Sequence, residues 1–156
     1  MSIDLQNCLR EIHRNAERDS LSVSFNVSDN NKTIEDISGL LQLIPTDYYH
    51  DGDTIFKNEK FDVKNEGSSW SLSSLRQVRS KDMEVHINWI LNQLFGKLPA
   101  IRKLQAEGAS MRLIARDDSW SRYNNTELSI EILQRLAQLR VRLTCETYYM
   151  NSNSEY

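Results

Sequence analysis

Residues 21–27 read LSVSFNV, and this short stretch decides the fold class. Four apolar side chains alternate with two serines and one asparagine. That period of two is typical of a strand with one buried face and one solvated face. Such a strand belongs in a sheet that is covered on one side only. The stretch therefore predicts a sheet with helices packed against a single face.

The segment that follows this strand predicts a capped helix. Residues Thr33-Ile-Glu-Asp36 resemble a capping box, with a hydroxyl at the cap and a carboxylate three residues later. Apolar residues then recur at helical spacing as far as Leu41, and Pro45 prevents continuation of the helix. On the other side of the strand, an amphipathic helix is predicted over residues 3–17.

Similar patterns predict the rest of the chain. Three more strands are expected at residues 68–75, 111–116 and 141–149. A helical region is expected over residues 80–107, with either a kink or a junction of two helices at Gly96 and Pro99. A further helix is expected to run to Leu139 from a cap at Asn125 or Thr126. Residues 46–67 form a polar segment without clear periodicity, which is longer than an ordinary loop and is therefore a candidate for function.

The predicted elements occur in two similar series of strand, polar loop, capped helix and strand. This predicts an α+β fold, a two-layer sandwich with one four-stranded, mostly antiparallel sheet, helices on one face and pseudo-repeated split β-α-β units. The 156 residues fit a single domain. Its parts are an amino-terminal helix within residues 1–20, the α+β domain at 21–149 and a disordered tail at 150–156.

Composition and charge exclude several classes of function. The chain is 39% hydrophobic and 26% charged, with a formal net charge of −3. It has no basic field for phosphate binding, so nucleic acid is not expected as a partner. No apolar run approaches about 18 residues, so no membrane is expected either. The two lone thiols, Cys8 and Cys145, and a polar amino terminus predict a cytoplasmic protein.

Several short motifs, taken in order and spacing, are similar to a known family. They are Leu43-Ile44-Pro45-Thr46, Gly52-Asp53, Trp70-Ser71-Leu72, Pro99 and Tyr148-Tyr149. Over residues 21–149 the chain resembles the bacterial proteins grouped as domain of unknown function family 4279. It departs from them in the long charged insertion between Gly52 and Trp70. The resemblance implies a fold and no known reaction, and it permits a role as an immunity protein encoded beside a toxin gene.

The sequence carries no signature of catalysis. There is no GxSxG elbow, P-loop, GxGxxG or HExxH motif, so no enzyme and no catalytic residues are expected. The cluster of His50, Asp51 and Asp53 has the chemistry of metal ligands but not their usual spacing, so no metal and no cofactor are expected. His13 and His86 are interpreted as helix-face residues far from any nucleophile.

Two loops combine aromatic and acidic side chains, which suits recognition of a basic protein. Tyrosine and tryptophan supply packing, and carboxylates steer the approach of a cationic partner. The alternative for Trp120 is that it folds back on the edge of the sheet. The predicted partner-binding residues are Asp47, Tyr48, Tyr49, Asp51 and Asp53 in the first loop, and Asp117, Asp118, Trp120 and Tyr123 in the second.

These observations favour a non-enzymatic protein-binding module. Its most concrete form is a bacterial immunity protein that neutralises a cognate toxin, expected to be basic, by direct binding. The alternative is a small regulatory or ligand-sensing domain with a pocket between the sheet and the long polar segment. The two hypotheses place the functional surface in different parts of the fold.

Overall fold

The computed structural model describes residues 21–118 and 126–147, which form seven strands and four helices. The predicted helix at 3–17 and tail at 150–156 lie outside these residues. The elements in chain order are β1 (Leu21–Asp29), α1 (Ile34–Leu41), β2 (Asp47–Tyr49), β3 (Thr54–Lys57), β4 (Asp62–Lys64), β5 (Ser68–Ser73), α2 (Met83–Gln93), α3 (Leu98–Ala106), β6 (Ser110–Asp117), α4 (Ile130–Leu139) and β7 (Arg142–Thr147).

Five of the strands form one mixed sheet in the order β2-β5-β1-β6-β7. The central strand β1 runs antiparallel to β5 and β6, and β2 runs antiparallel to β5, whereas β7 runs parallel to β6. The α+β prediction is confirmed, but the expected four-stranded sheet is wrong in its strand number and in the direction of its last strand. Three residues in β2 are too few to show an alternating pattern, and a helical crossover delivers β7 parallel to β6.

The two split β-α-β units do not form as predicted. The first was expected to end at the strand of residues 68–75, but that strand is β5, which pairs antiparallel with β1, and the unit is completed by β2 instead. In the unit β1–α1–β2 the parallel strands are separated by β5. In the unit β6–α4–β7 the strands are direct neighbours. Residues 46–67, expected to be irregular, contain β2 and a separate two-stranded hairpin, β3–β4.

The helices cover one face of the sheet, and the core lies between the helices and that face. Val23, Phe25 and Val27 of β1 are fully buried on this face, and Trp70 of β5 is 1% exposed. The rings of Phe25 and Trp70 meet edge to face with centroids 6.4 Å apart. Trp70 Nε1 donates a hydrogen bond to Ser38 Oγ of α1 at 3.0 Å. The expected period of two in β1 and the core position of Trp70 are therefore confirmed.

The long helical region consists of two helices. Helix α2 ends at Gln93, and α3 begins at Leu98 with Pro99 in its first turn. Gly96 between them has a φ of 76°, a left-handed conformation that glycine adopts without strain. Proline lacks the N–H that an interior position requires, so the expected break falls at this junction. No described helix is long and apolar enough to cross a membrane.

Candidate functional site

Strand β2 places three of the predicted contact residues, Asp47, Tyr48 and Tyr49, at an edge of the main sheet. Tyr48 is the register partner of Trp70 but remains 51% exposed. Its ring meets the His50 ring edge to face, with centroids 5.5 Å apart. Asp47 is also exposed, and its Oδ1 accepts a hydrogen bond from Tyr48 N at 2.9 Å. The edge of the sheet therefore presents an aromatic ring beside a carboxylate.

The turn after β2 is held by its own acidic side chains. Asp53 Oδ2 accepts from His50 N at 2.6 Å, and Asp53 N donates to His50 O at 3.2 Å. Asp51 Oδ1 accepts from Gly67 N at 2.9 Å. Gly52 has a φ of 81°, which explains the glycine at this position. Asp51 and Asp53 thus shape the turn as well as contributing negative charge.

Asn65 joins this turn to the beginning of β5, a role that the sequence pattern did not indicate. The side chain is buried, and its Nδ2 lies 3.3, 3.1 and 2.7 Å from the carbonyl oxygens of Tyr49, His50 and Gly67. Its Oδ1 accepts from Ser69 Oγ at 2.9 Å. A single asparagine in a polar segment has no periodicity to reveal it. Its amide holds the base of the β3–β4 hairpin against the sheet.

The β3–β4 hairpin exposes apolar side chains that an isolated hairpin cannot bury. Ile55, Phe56, Phe61 and Val63 are between 45% and 61% exposed. Phe56 and Val63 are register partners, and the register shifts between Thr54 and Phe56. We call these four residues together with Tyr48 the hairpin surface. Several large apolar side chains exposed within one short segment make that segment a candidate interaction site.

The tip of the hairpin is ordered by a local hydrogen-bond network. Asn58 Oδ1 accepts from Lys60 N at 2.8 Å and from Phe61 N at 2.7 Å. Asn58 N donates to Phe61 O at 2.8 Å. Asparagine stabilises tight turns in this way because its side chain replaces a backbone acceptor. The hairpin is therefore held at its tip by Asn58 and at its base by Asn65.

The segment that carries the hairpin surface is also acidic. Residues 47–67 contain six Asp and Glu side chains against three Lys, a net charge of −3. The whole chain has the same net charge, so the remaining residues together are neutral. The excess of negative charge lies mainly beside the hairpin, at Asp47, Asp51 and Asp53, because residues 54–64 themselves carry three Lys against one Glu and one Asp.

The second predicted contact loop lies at the opposite end of the sheet. Asp117 is 7% exposed and is the last residue of β6, in register with Leu21 at the start of β1. Tyr49 of β2 pairs in register with Ser69 of β5, and Ser69 pairs with Ser28 near the end of β1. The separation along β1 is about seven residues, or roughly 23 Å. Tyr49 at the end of β2 and Asp117 at the end of β6 are far apart because β2 runs parallel to β1, whereas β6 runs antiparallel to β1.

The predicted single contact surface is therefore not formed by the described residues. Asp117 belongs to a strand and is buried, which corrects its expected position in an exposed loop. Asp118, the next residue, is half-buried. Trp120 and Tyr123 lie outside the described residues.

Ser74 and His86 form a buried pair, so the interpretation of His86 as a helix-face residue far from any nucleophile is wrong. Ser74 Oγ accepts from Val23 N at 2.8 Å and lies 2.8 Å from His86 Nδ1. His86 Nε2 lies 2.9 Å from Ser80 O. A carbonyl only accepts, so Nε2 carries the proton and Nδ1 accepts from the serine hydroxyl. His86 is 1% exposed and Ser74 fully buried, so this pair ties α2 to the core and does not face substrate.

The comparisons with known proteins place the chain in a family without assigning a reaction. No curated protein and no solved structure matches it significantly. A family model described as "Domain of unknown function (DUF4279)" matches residues 19–150, which include every strand and helix described above. The match covers most of the chain, including the hairpin surface. The chain therefore belongs to the DUF4279 family.

Proposed function

We propose that this chain is a non-enzymatic protein-binding module whose hairpin surface docks on a cationic region of a partner protein. The observation that carries the proposal is the combination of exposed apolar side chains and net negative charge within one segment, residues 47–67. Neither feature alone identifies a partner. Together they match an interface with an apolar centre and a charged rim.

The apolar side chains supply the affinity in this proposal. Phe56 and Phe61 are 53% and 61% exposed, so most of each ring can still be removed from water by a partner. Full burial of a phenylalanine side chain stabilises a complex by about 1.5–3 kcal/mol. The hydrogen bonds of Asn58 and Asn65 already order the hairpin, which lowers the entropic cost of docking.

The charges select the partner. Acidic groups around an apolar centre accelerate encounter with a cationic surface and disfavour an anionic one. A second copy of this chain would bring another net charge of −3 against the same surface. Repulsion between like charges therefore favours a different, basic protein over self-association.

In its most concrete form, the module is a cytoplasmic bacterial immunity protein that neutralises a cognate toxin. Inhibition needs only tight docking over the active site or target surface of the toxin, and no chemistry from the inhibitor. A single small domain with a projecting, preordered hairpin suits this task. The proposal requires a toxin with a positively charged cleft.

The test removes the aromatic anchors while leaving the fold intact. The double variant Phe56→Ala/Phe61→Ala is compared with Ile44→Ala/Phe95→Ala, whose side chains are more than 80% exposed outside the hairpin. Binding to the protein encoded by the adjacent open reading frame is measured by calorimetry. Loss of two anchors should weaken binding at least about a hundredfold, because each hot-spot residue is worth about 2 kcal/mol or more.

The control variant should bind like the wild type. Equal weakening by both double variants, or micromolar binding that survives loss of both phenylalanines, contradicts the proposal. Charge reversal at Asp51 or Asp117 is unsuitable for this test. Asp51 holds the turn and Asp117 is buried, so both substitutions would perturb the fold.

A further inference from the structure

The uncovered face of the sheet is lined by unusually small side chains along its two central strands. On β1 this face carries Ser22, Ser24, Asn26 and Ser28, and on β5 it carries Ser69, Ser71 and Ser73. Solvated sheet faces ordinarily use β-branched or long polar residues, which pack against their cross-strand neighbours. Small residues at adjacent positions leave a trough along the middle of the sheet.

Larger residues from the flanking elements form the walls of this trough. Thr46 and Asp47 line one side, Ile114 and Arg116 line the other, and Leu75 and Arg76 close one end. The resulting groove has a volume of about 490 Å³ and is open to solvent. That volume lies within the range of about 300–1,000 Å³ found for small-molecule sites.

The groove has opposite charges at its two ends. Asp47 is the register partner of Ser71, whereas Leu75 and Arg76 lie in the turn that follows the end of β5 at Ser73. Arg116 adds a second guanidinium near Arg76, although its Nη2 already contacts Glu146 Oε2 at 3.1 Å. A carboxylate thus faces one or two guanidinium groups across a polar floor.

The floor offers hydrogen-bonding groups in both directions. The Thr46 hydroxyl is already engaged, because it donates to Ser71 O at 3.2 Å and accepts from Ser73 N at 2.8 Å. Asn26 Nδ2 donates to Ser24 Oγ at 3.0 Å, and both residues line the groove. Each serine hydroxyl can both donate and accept, as a peptide backbone requires of its partner.

We infer that this groove binds a short extended peptide with free termini, its amino group at Asp47 and its carboxylate at Arg76. Four extended residues span at most about 14 Å, which is long enough to run from the row of Asp47 and Ser71 past the end of β5 at Ser73. Leu75 and Ile114 provide apolar contact for its side chains. A purely anionic ligand would be repelled by Asp47, and a purely cationic one by the two arginines.

The first experiment titrates tetra-alanine into the full-length, isotope-labelled chain and follows the backbone amide signals of Ser24, Ser71 and Ser73 by NMR. N-acetyl-tetra-alanine and tetra-alanine amide each lack one terminal charge. Saturable shifts are expected with the free peptide. Each blocked peptide should bind about threefold more weakly, the size expected for loss of one solvent-exposed ion pair.

Matched variants then assign each terminus. Asp47→Asn should abolish the difference between free and acetylated peptide, and Arg76→Ala should abolish the difference between free and amidated peptide. Asp62→Asn and Arg79→Ala, which do not line the groove, should preserve both differences. The inference is overturned by an absence of saturable shifts, by equal affinities for the three peptides, or by unchanged differences in the two groove variants.

This inference does not depend on the hairpin surface. The Phe56→Ala/Phe61→Ala variant should bind tetra-alanine as the wild type does, because neither phenylalanine lines the groove. Failure of protein docking with retained peptide binding would therefore separate the two proposals. Impaired peptide binding in this variant would contradict the placement of the site in the groove.

Discussion

The two β-α-β units of the sheet share an order of elements but stabilise their helices differently. In the first unit, helix α1 is capped by its own residues. Thr33 Oγ1 accepts from Asp36 N at 3.1 Å, and Asp36 Oδ2 accepts from Thr33 N at 3.0 Å. The hydrogen bonds from the backbone and hydroxyl of Thr33 hold the pKa of Asp36 below its usual value. Helix α1 thus begins with a complete local capping box.

In the second unit, the local cap of helix α4 is a single long hydrogen bond, from Ile132 N to Ser129 Oγ at 3.4 Å, and other helices hold both ends of α4. Glu84 of α2 accepts from the backbone N and the hydroxyl of Ser129, the residue before α4, at 2.9 and 2.8 Å. Arg102 of α3 donates to Leu139 O at 3.0 Å and also to Gln138 O at the end of α4. The last carbonyl groups of a helix have no intrahelical hydrogen-bond donor, and the Arg102 guanidinium supplies donors to two of them.

This difference shows that a repeated sequence pattern need not repeat its energetics. The first unit is split by β5, and Trp70 on β5 is bonded to Ser38 of α1. The second unit has no inserted strand, and its helix depends on α2 and α3 instead. Stability should therefore be more local in the first unit and more dependent on distant residues in the second.

Trp70→Ala should have the largest effect of the substitutions considered. It removes the ring that fills the core between β5 and α1, and such truncations cost about 3–5 kcal/mol of unfolding free energy. The measurement is urea denaturation followed by circular dichroism. Trp70→Phe keeps most of the volume and loses the bond to Ser38, so a loss of only about 1–2 kcal/mol is expected. Equal losses for the two variants would show that packing by Trp70 does not hold the split unit together.

Arg102→Ala should have an intermediate effect, confined to the second unit. It removes charge-assisted hydrogen bonds from the end of α4, so a loss of about 1.5–3 kcal/mol is expected. Hydrogen exchange should show faster exchange in α4 than in α1. Lys103→Ala changes the adjacent exposed residue and serves as the control. Uniform acceleration across both helices would contradict the assignment of Arg102 to the second unit.

Local signals in the sequence predicted the parts of the fold that depend on neighbouring residues. Three such signals are the alternation in β1, the capping box at Thr33 and the break at Pro99. Each involves only residues within one helical turn or one strand. They correspond to the structure at residue level because the same local physics forms them. The core position of Trp70 follows from its place in an alternating strand.

Features that join distant residues could not be predicted in the same way. The position of β5 between β1 and β2 depends on pairs that are 39–49 residues apart with β1 and 20–24 residues apart with β2, and β2 is too short to carry a pattern. The contacts of Glu84 with Ser129 and of Arg102 with Leu139 likewise join separate helices. A single sequence contains no periodic signal for such pairs.

The candidate site was predicted in composition but not in form. Asp47, Tyr48 and the acidic turn were identified as a contact region, whereas the hairpin that presents Phe56 and Phe61 was not. Its strands have three and four residues and both faces exposed, so alternation between buried and exposed positions is absent. Asp117 was assigned to the surface because its acidic sequence resembles a loop, although strand pairing extends to this residue.

The smallest predicted effect tests the feature that the two units share. Helices α1 and α4 both end at a non-glycine residue with a φ of 52°, Gln42 and Arg140 respectively. A left-handed conformation costs an L-residue roughly 1–2 kcal/mol, and glycine loses somewhat more backbone entropy on folding. Gln42→Gly and Arg140→Gly should therefore each stabilise the domain by about 0.5–1 kcal/mol in urea denaturation.

The two glycine substitutions should also be additive, because the sites belong to different units. Arg140 O accepts a hydrogen bond from Gln105 Nε2 at 3.3 Å, and this backbone contact is kept when the side chain is removed. Stabilisation at Gln42 with destabilisation at Arg140 would show that the arginine side chain itself helps to hold α4. In that event, the C-terminal cap of α4 would also depend on contacts with distant residues. The caps at Gln42 and Arg140 would then contribute differently to the free energy of unfolding although they share a φ of 52°.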